Sequence, residues 1–186
     1  MVDKHFLDSI GQLFREKNYN QVILMIEQNI KINHRTPELL NLCGVSRLLK
    51  ENKDKLDIIL ALNDFELYYN KSKKKFQKIE AVCNFITTCV VNSQKFIEVV
   101  PEFKKAKKLF EQCISEVGYD EKLYIRGADL YKYTLDHNKN RNLLNELIKN
   151  KTKSKISACA YGYMSNYTYD WGLKEYFQFS KNFEDF

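Results

Sequence analysis

The chain has 186 residues, 44% of them hydrophobic, and a formal net charge of +6 supplied mostly by lysine. That length suits one compact domain or one short solenoid, and two prolines and six glycines are too few for a sheet protein full of turns. Cys43, Cys83, Cys89, Cys113 and Cys159 form no Cys-x-x-Cys pair, which argues against a zinc site, and each sits among apolar residues as buried free thiols do in a reducing, cytoplasmic compartment.

Taken in order, the N-terminal segment carries Asp3, Lys4, His5 and Asp8 and so has no signal-type apolar run. No stretch approaches the roughly 18 apolar residues that a membrane span needs, and no membrane partner is expected. Apolar residues then recur at helical spacing. Val22, Ile23, Ile26 and Ile30 make one stripe; Leu39, Leu40, Cys43 and Leu48 make another. Ala106, Leu109, Phe110 and Cys113 make a third, and Leu143, Leu144, Leu147 and Ile148 a fourth. Breaks fall at Lys17-Asn18, Asn33 to Thr36, Glu51 to Lys53, Asn70 to Ser72, Gly118 to Asp120 and His137 to Asn140, where Asn and Asp favour turns. Pro37 and Pro101 suit helix starts. The spacing predicts helices near 2–16, 19–32, 37–51, 56–70, 74–93, 101–117, 120–136, 140–150, 153–166 and 172–183, paired antiparallel.

A repeat of about 34 residues runs through this pattern. Phe6, Tyr19, Val22 and Ile26 belong to a first unit, and Pro37, Gly44, Ala61 and Phe65 to a second with an insertion. Phe103, Ala106, Phe110 and Cys113 carry the second helix of a third. Leu123, Gly127, Leu130, Leu144 and Ile148 make a degenerate fourth. Over 3–150 the chain resembles the tetratricopeptide repeat family. The resemblance implies an all-α, right-handed superhelical solenoid of about four to five antiparallel helix-turn-helix repeats, with 151–186 as capping helices or a junction to a downstream domain. An irregular helical bundle is the alternative.

The segment from Tyr161 to Trp171, followed by Leu173, Tyr176 and Phe177, resembles the junction between repeats and catalytic half in bacterial O-linked N-acetylglucosaminyltransferase-like proteins of the SPINDLY type. Asn166, Tyr167 and Asp170 occupy the matching places. The family's nucleotide-sugar site and catalytic histidine would lie downstream of Phe186, so the resemblance carries no catalytic residue into this chain.

The residues themselves offer little chemistry. His5, His34 and His137 are scattered, two of them in expected turns. There is no HExxH, no phosphate-binding glycine loop and no GxSxG elbow, so no metal, cofactor or catalytic residue is assigned. Carboxylates read as solvated helix faces laced with lysine. The basic runs Lys71, Lys73, Lys74, Lys75, Lys78 and Lys149, Lys151, Lys153, Lys155 read as solvated edges, and scarce arginine argues against nucleic acid.

The expected role is recognition of a peptide or partner protein by the first helices of each pair. Lys4, Leu7 and Phe14, with Gly11 between them, are the candidates in the first unit, and Asn41, Val45 and Leu48 in the second. A carboxylate grip of the kind found in some repeat proteins fits Lys4, but Asp8 stands where asparagine is needed. Ten aromatics crowd the last 26 residues, more than a terminal helix pair can bury. Tyr169, Trp171, Tyr176, Phe179 and Phe183 are the candidates for contact with a downstream glycosyltransferase domain or a second copy of the chain.

Overall fold

The computed structural model describes residues 4–150 apart from 94, 97 and 98. Among these residues the structure is all-helical, with eight α-helices and no strand. They are α1 (Lys4–Arg15), α2 (Tyr19–Asn29), α3 (Pro37–Leu49), α4 (Lys55–Lys71), α5 (Lys75–Asn92), α6 (Glu102–Val117), α7 (Glu121–Tyr133) and α8 (His137–Lys149). All eight lie within a few residues of their expected positions. The helices expected near 153–166 and 172–183 fall outside the described residues.

Local chemistry sets the starts. Thr36 accepts from the Leu39 N–H at 3.4 Å, and Pro37 fills the first turn of α3. Asp54 and Asp57 cap α4 reciprocally, each carboxylate accepting from the other's backbone N–H at 2.9 Å. Asp120 accepts from the Leu123 N–H at 3.0 Å and opens α7. One expected turn is corrected. His137 to Asn140 is the first turn of α8, because Asp136 accepts from the Lys139 N–H and starts the helix earlier. The chain reverses instead at Leu135, whose φ of 57° is left-handed.

The chain divides into two compact units, Met1–Glu102 and Phe103–Phe186. In the first, each helix packs on its sequence neighbour, α1 on α2 through to α4 on α5, and α3 against α4 is the most extensive join. Ile10, Val22, Ile23, Ile26, Leu39 and Cys43 form one buried cluster, with Phe6, Leu13 and Phe14 against its rim. Further along, Ile58, Ala61, Leu62 and Phe65 of α4 and Val82, Phe85, Ile86 and Cys89 of α5 are buried. Each such large side chain contributes about 1.5–3 kcal/mol by leaving water.

Close approach of α3 and α4 depends on Gly44. A Cβ there would stand 2.7 Å from Cε1 of Phe65, so only glycine lets the ring lie across the helix. The second unit repeats the device. The Phe110 ring of α6 occupies the space that a Gly127 Cβ in α7 would need, and meets Tyr131 edge-on at 5.8 Å. There, Ala128, Leu144 and Leu147 form the buried cluster joining α7 to α8.

In the first unit the α1–α2 and α3–α4 pairs begin at Lys4 and Pro37 and α5 at Lys75, so the interval lengthens instead of holding near ~34 residues. The 17-residue α4, against 11 residues in α2, absorbs the difference.

Candidate binding face

Two side-chain bonds join α3 and α5 in the first unit. Asn84 of α5 donates from Nδ2 to Oδ1 of Asn41 on α3 at 3.0 Å. Gln77 donates from Nε2 to Oε1 of Glu38 at 2.8 Å. Partners 43 and 39 residues apart in sequence thus place α3 and α5 side by side.

Asn41, Val45 and Leu48 recur at one-turn intervals, so they share a face of α3. All three are half-buried. On α5, Asn84, Thr87 and Val91 follow the same rule, with Asn84 and Thr87 half-buried and Val91 exposed. The α5 residues were not among those singled out from sequence, because the neighbour of α3 across 43 residues carries no local signal. On α1, Leu7 is exposed. Phe14 instead packs half-buried on the first core cluster, edge-on to Tyr19 at 5.5 Å. Lys4 opens α1. Tyr169, Trp171, Tyr176, Phe179 and Phe183 lie outside the described residues.

Behind this face is a buried charge cluster. Arg47 of α3 donates from Nε to Oδ2 of Asp64 on α4 at 3.1 Å and also pairs with Glu27 of α2. Arg35, in the α2–α3 connection, lies 3.7 Å from the other Asp64 oxygen and donates from Nε to the Ile30 carbonyl at 3.2 Å. Asp64 is 2% exposed and both arginines are under a tenth exposed. The expectation that carboxylates sit on solvated faces is therefore corrected at Asp64, and at Asp57, which is buried and 2.6 Å from the Lys50 ammonium. Burial pushes the Asp64 carboxyl up; Arg47 and Arg35 pull it down without cancelling that push. The cluster fixes three helices together.

The thiols are equally quiet. Cys43, Cys89 and Cys113 are buried and Cys83 half-buried. Burial, reinforced by Asp64, pushes the Cys43 thiol up to about 12. Such a group is protonated at neutral pH and is a poor nucleophile. Among the described residues no group of three His, Cys, Asp or Glu side chains lies together as a metal would need. No helix of the described residues is long and apolar enough to cross a membrane. An open polar hollow lies between the α1–α2 and α3–α4 turns, lined by Lys17, Asn18, Asn20, Lys50, Glu51 and Asn52.

Asn41 and Asn84 offer amide donors and acceptors like those of a backbone, and Val45, Leu48 and Val91 offer apolar contact. No family model matches the sequence, and neither a curated protein nor a solved structure matches it.

Proposed function

We propose that the chain is a protein-interaction scaffold, a tetratricopeptide-like array that takes an extended peptide or partner segment along the layer of first helices. The observation that carries this reading is the pair of bonds from α3 to α5, Asn84 to Asn41 and Gln77 to Glu38. Lateral contact between first helices is what a stacked array requires, since each helix pair covers its neighbour and leaves one layer open. Extended peptides bind such layers by backbone hydrogen bonds with apolar side chains seated between them.

Panning a random peptide display library on the chain tests the reading. Enriched peptides should lose about tenfold in affinity or more on Leu48→Glu or Val91→Glu, and keep it on Lys108→Glu. Peptides indifferent to both α3 and α5 changes, or no enrichment at all, would remove it.

A second reading rests on the segment from Tyr161 to Trp171 and its likeness to the SPINDLY-type junction. The array would then present protein substrates to an attached nucleotide-sugar-dependent glycosyltransferase. Extending the reading frame past Phe186 tests it. The expected product has a nucleotide-sugar site and transfers N-acetylglucosamine or another sugar to peptides the array holds. A stop codon directly after Phe186 would rule it out.

A further inference from the structure

One end of the first unit combines lysines with exposed apolar side chains. The α2–α3 and α4–α5 connections meet there, because the Lys71 ammonium donates to the carbonyls of Asn33 at 2.8 Å, Arg35 at 3.0 Å and Ile32 at 3.4 Å. Lys71 thus turns inward and brings two turns together. What remains outside is Lys31, Lys73, Lys74 and Lys75, all exposed, with Ile32 at 37% and Phe76 at 61% exposure. Lys73 to Phe76 are four consecutive exposed residues, a corner that nothing else in the unit covers. Carboxylates nearby are few. Glu38 accepts from Gln77, Glu80 accepts from the Tyr68 hydroxyl at 2.6 Å, and α5 has no acidic residue in its first turn. The opposite end is different: there Lys50 is paired with Asp57, and Glu51 and Asp54 alternate with Lys53 and Lys55.

We propose that this end face docks on an anionic lipid surface, with Phe76 and Ile32 entering the headgroup region and Lys31, Lys73, Lys74 and Lys75 facing acidic headgroups. Clustered lysines are drawn to such a surface within a Debye length, and an apolar side chain adds the second anchor that stable attachment needs. Charge complementarity alone would also admit a nucleic-acid strand. The side chains decide between the two. A strand needs a track of ring faces on which bases stack. Here Phe76 is the single exposed phenylalanine, tyrosine or tryptophan among the described residues of the first unit, and its apolar companion, Ile32, has no ring. A protruding corner with one aliphatic and one aromatic side chain fits a fluid interface. The contact is peripheral, since no helix among the described residues is long and apolar enough to cross a bilayer, and is independent of the peptide-binding reading.

The test is co-sedimentation of the full chain with phosphatidylcholine vesicles, alone or with about one third phosphatidylserine. Binding is expected to the mixed vesicles only, falling as salt rises. The triple change Lys73→Glu, Lys74→Glu, Lys75→Glu should abolish it. Phe76→Ser should weaken it about tenfold. Lys17→Glu, Lys53→Glu, Lys55→Glu, at the opposite end of the same unit, alters net charge equally and should leave binding within about twofold, since only charges close to the surface contribute. Circular dichroism checks that each variant folds. Absence of binding to the mixed vesicles would overturn the proposal. Equal loss in both triple variants would do so too, as would a random oligonucleotide that binds the same lysines more tightly than the vesicles.

Discussion

Arg47 and Asp64 meet at 3.1 Å on facing helices with both side chains almost wholly out of water. Removing the carboxylate leaves buried Arg35 without its ion-pair partner and Arg47 with Glu27 alone. Asp64→Ala should therefore cost about 3–5 kcal/mol, as a buried charge left without its partner does. Glu27→Gln, at the 40% exposed end of the same cluster, should cost under about 1 kcal/mol. Urea unfolding followed by helical ellipticity measures both. Equal effects would show that the cluster is not organised around Asp64.

Gly44→Ala should destabilise although alanine is the better helix former. The added methyl meets the Phe65 ring at 2.7 Å, and overpacking of about 1–3 kcal/mol outweighs a propensity gain of about 1 kcal/mol. Pairing it with Phe65→Leu should recover part of the loss. A double-mutant cycle with no coupling between the two positions would contradict the packing described.

The helix pattern was legible because it is local. Thr36 with Pro37, Asp54 with Asp57, and Asp120 each announce a helix within one turn, and apolar residues at helical spacing fill the rest. Glycines 11, 44 and 127, each inside a helix, all read as sites of close helix packing; that holds at 44 and 127 but not at 11, where a Cβ would meet only the Arg15 guanidinium at 3.6 Å. The start of α8 was misplaced because His137, Asn138 and Asn140 look like turn formers, while Asp136 caps them into a helix. The charge cluster was not legible at all. Arg47 meets partners 17 and 20 residues away, and nothing in a single sequence distinguishes a buried aspartate from a solvated one. Asn41 and Val45 were singled out on α3, but the α5 half of the face depends on contacts across 43 residues.

Acid should weaken the join between α3 and α5. The Glu38 carboxyl is held below its ordinary value by its own backbone N–H first, then by Thr36 and Gln77, with Lys74 adding to the effect. A lowered carboxylate contributes stability that is present above its unfolded value of 4.5 and lost as pH falls through the folded one. Glu38→Gln should cost under about 1 kcal/mol at neutral pH after solvent screening, and the difference from the parent chain should vanish in acid. Denaturation midpoints across that range check it; a difference that grows on acidification has the wrong sign.

Cys43 should resist alkylation in the folded chain. Its thiol, pushed up to about 12, is ionised in roughly one molecule in ten thousand near pH 8. Half-buried Cys83 should react first. Peptide-resolved mass spectrometry after timed iodoacetamide labelling orders the two, and urea should erase the difference. Faster labelling at Cys43 would mean that the α3–α4 join opens readily.

The Lys71 clasp has an evolutionary corollary. Its three acceptors are main-chain oxygens, which every amino acid supplies alike. So far as this joint is concerned, the side chains at 32 and 33 can drift while it keeps its angle, provided one long cation persists at the end of α4, whereas Arg35 is tied to Asp64. Divergent arrays can preserve their stacking through such joints long after their side chains have ceased to resemble one another.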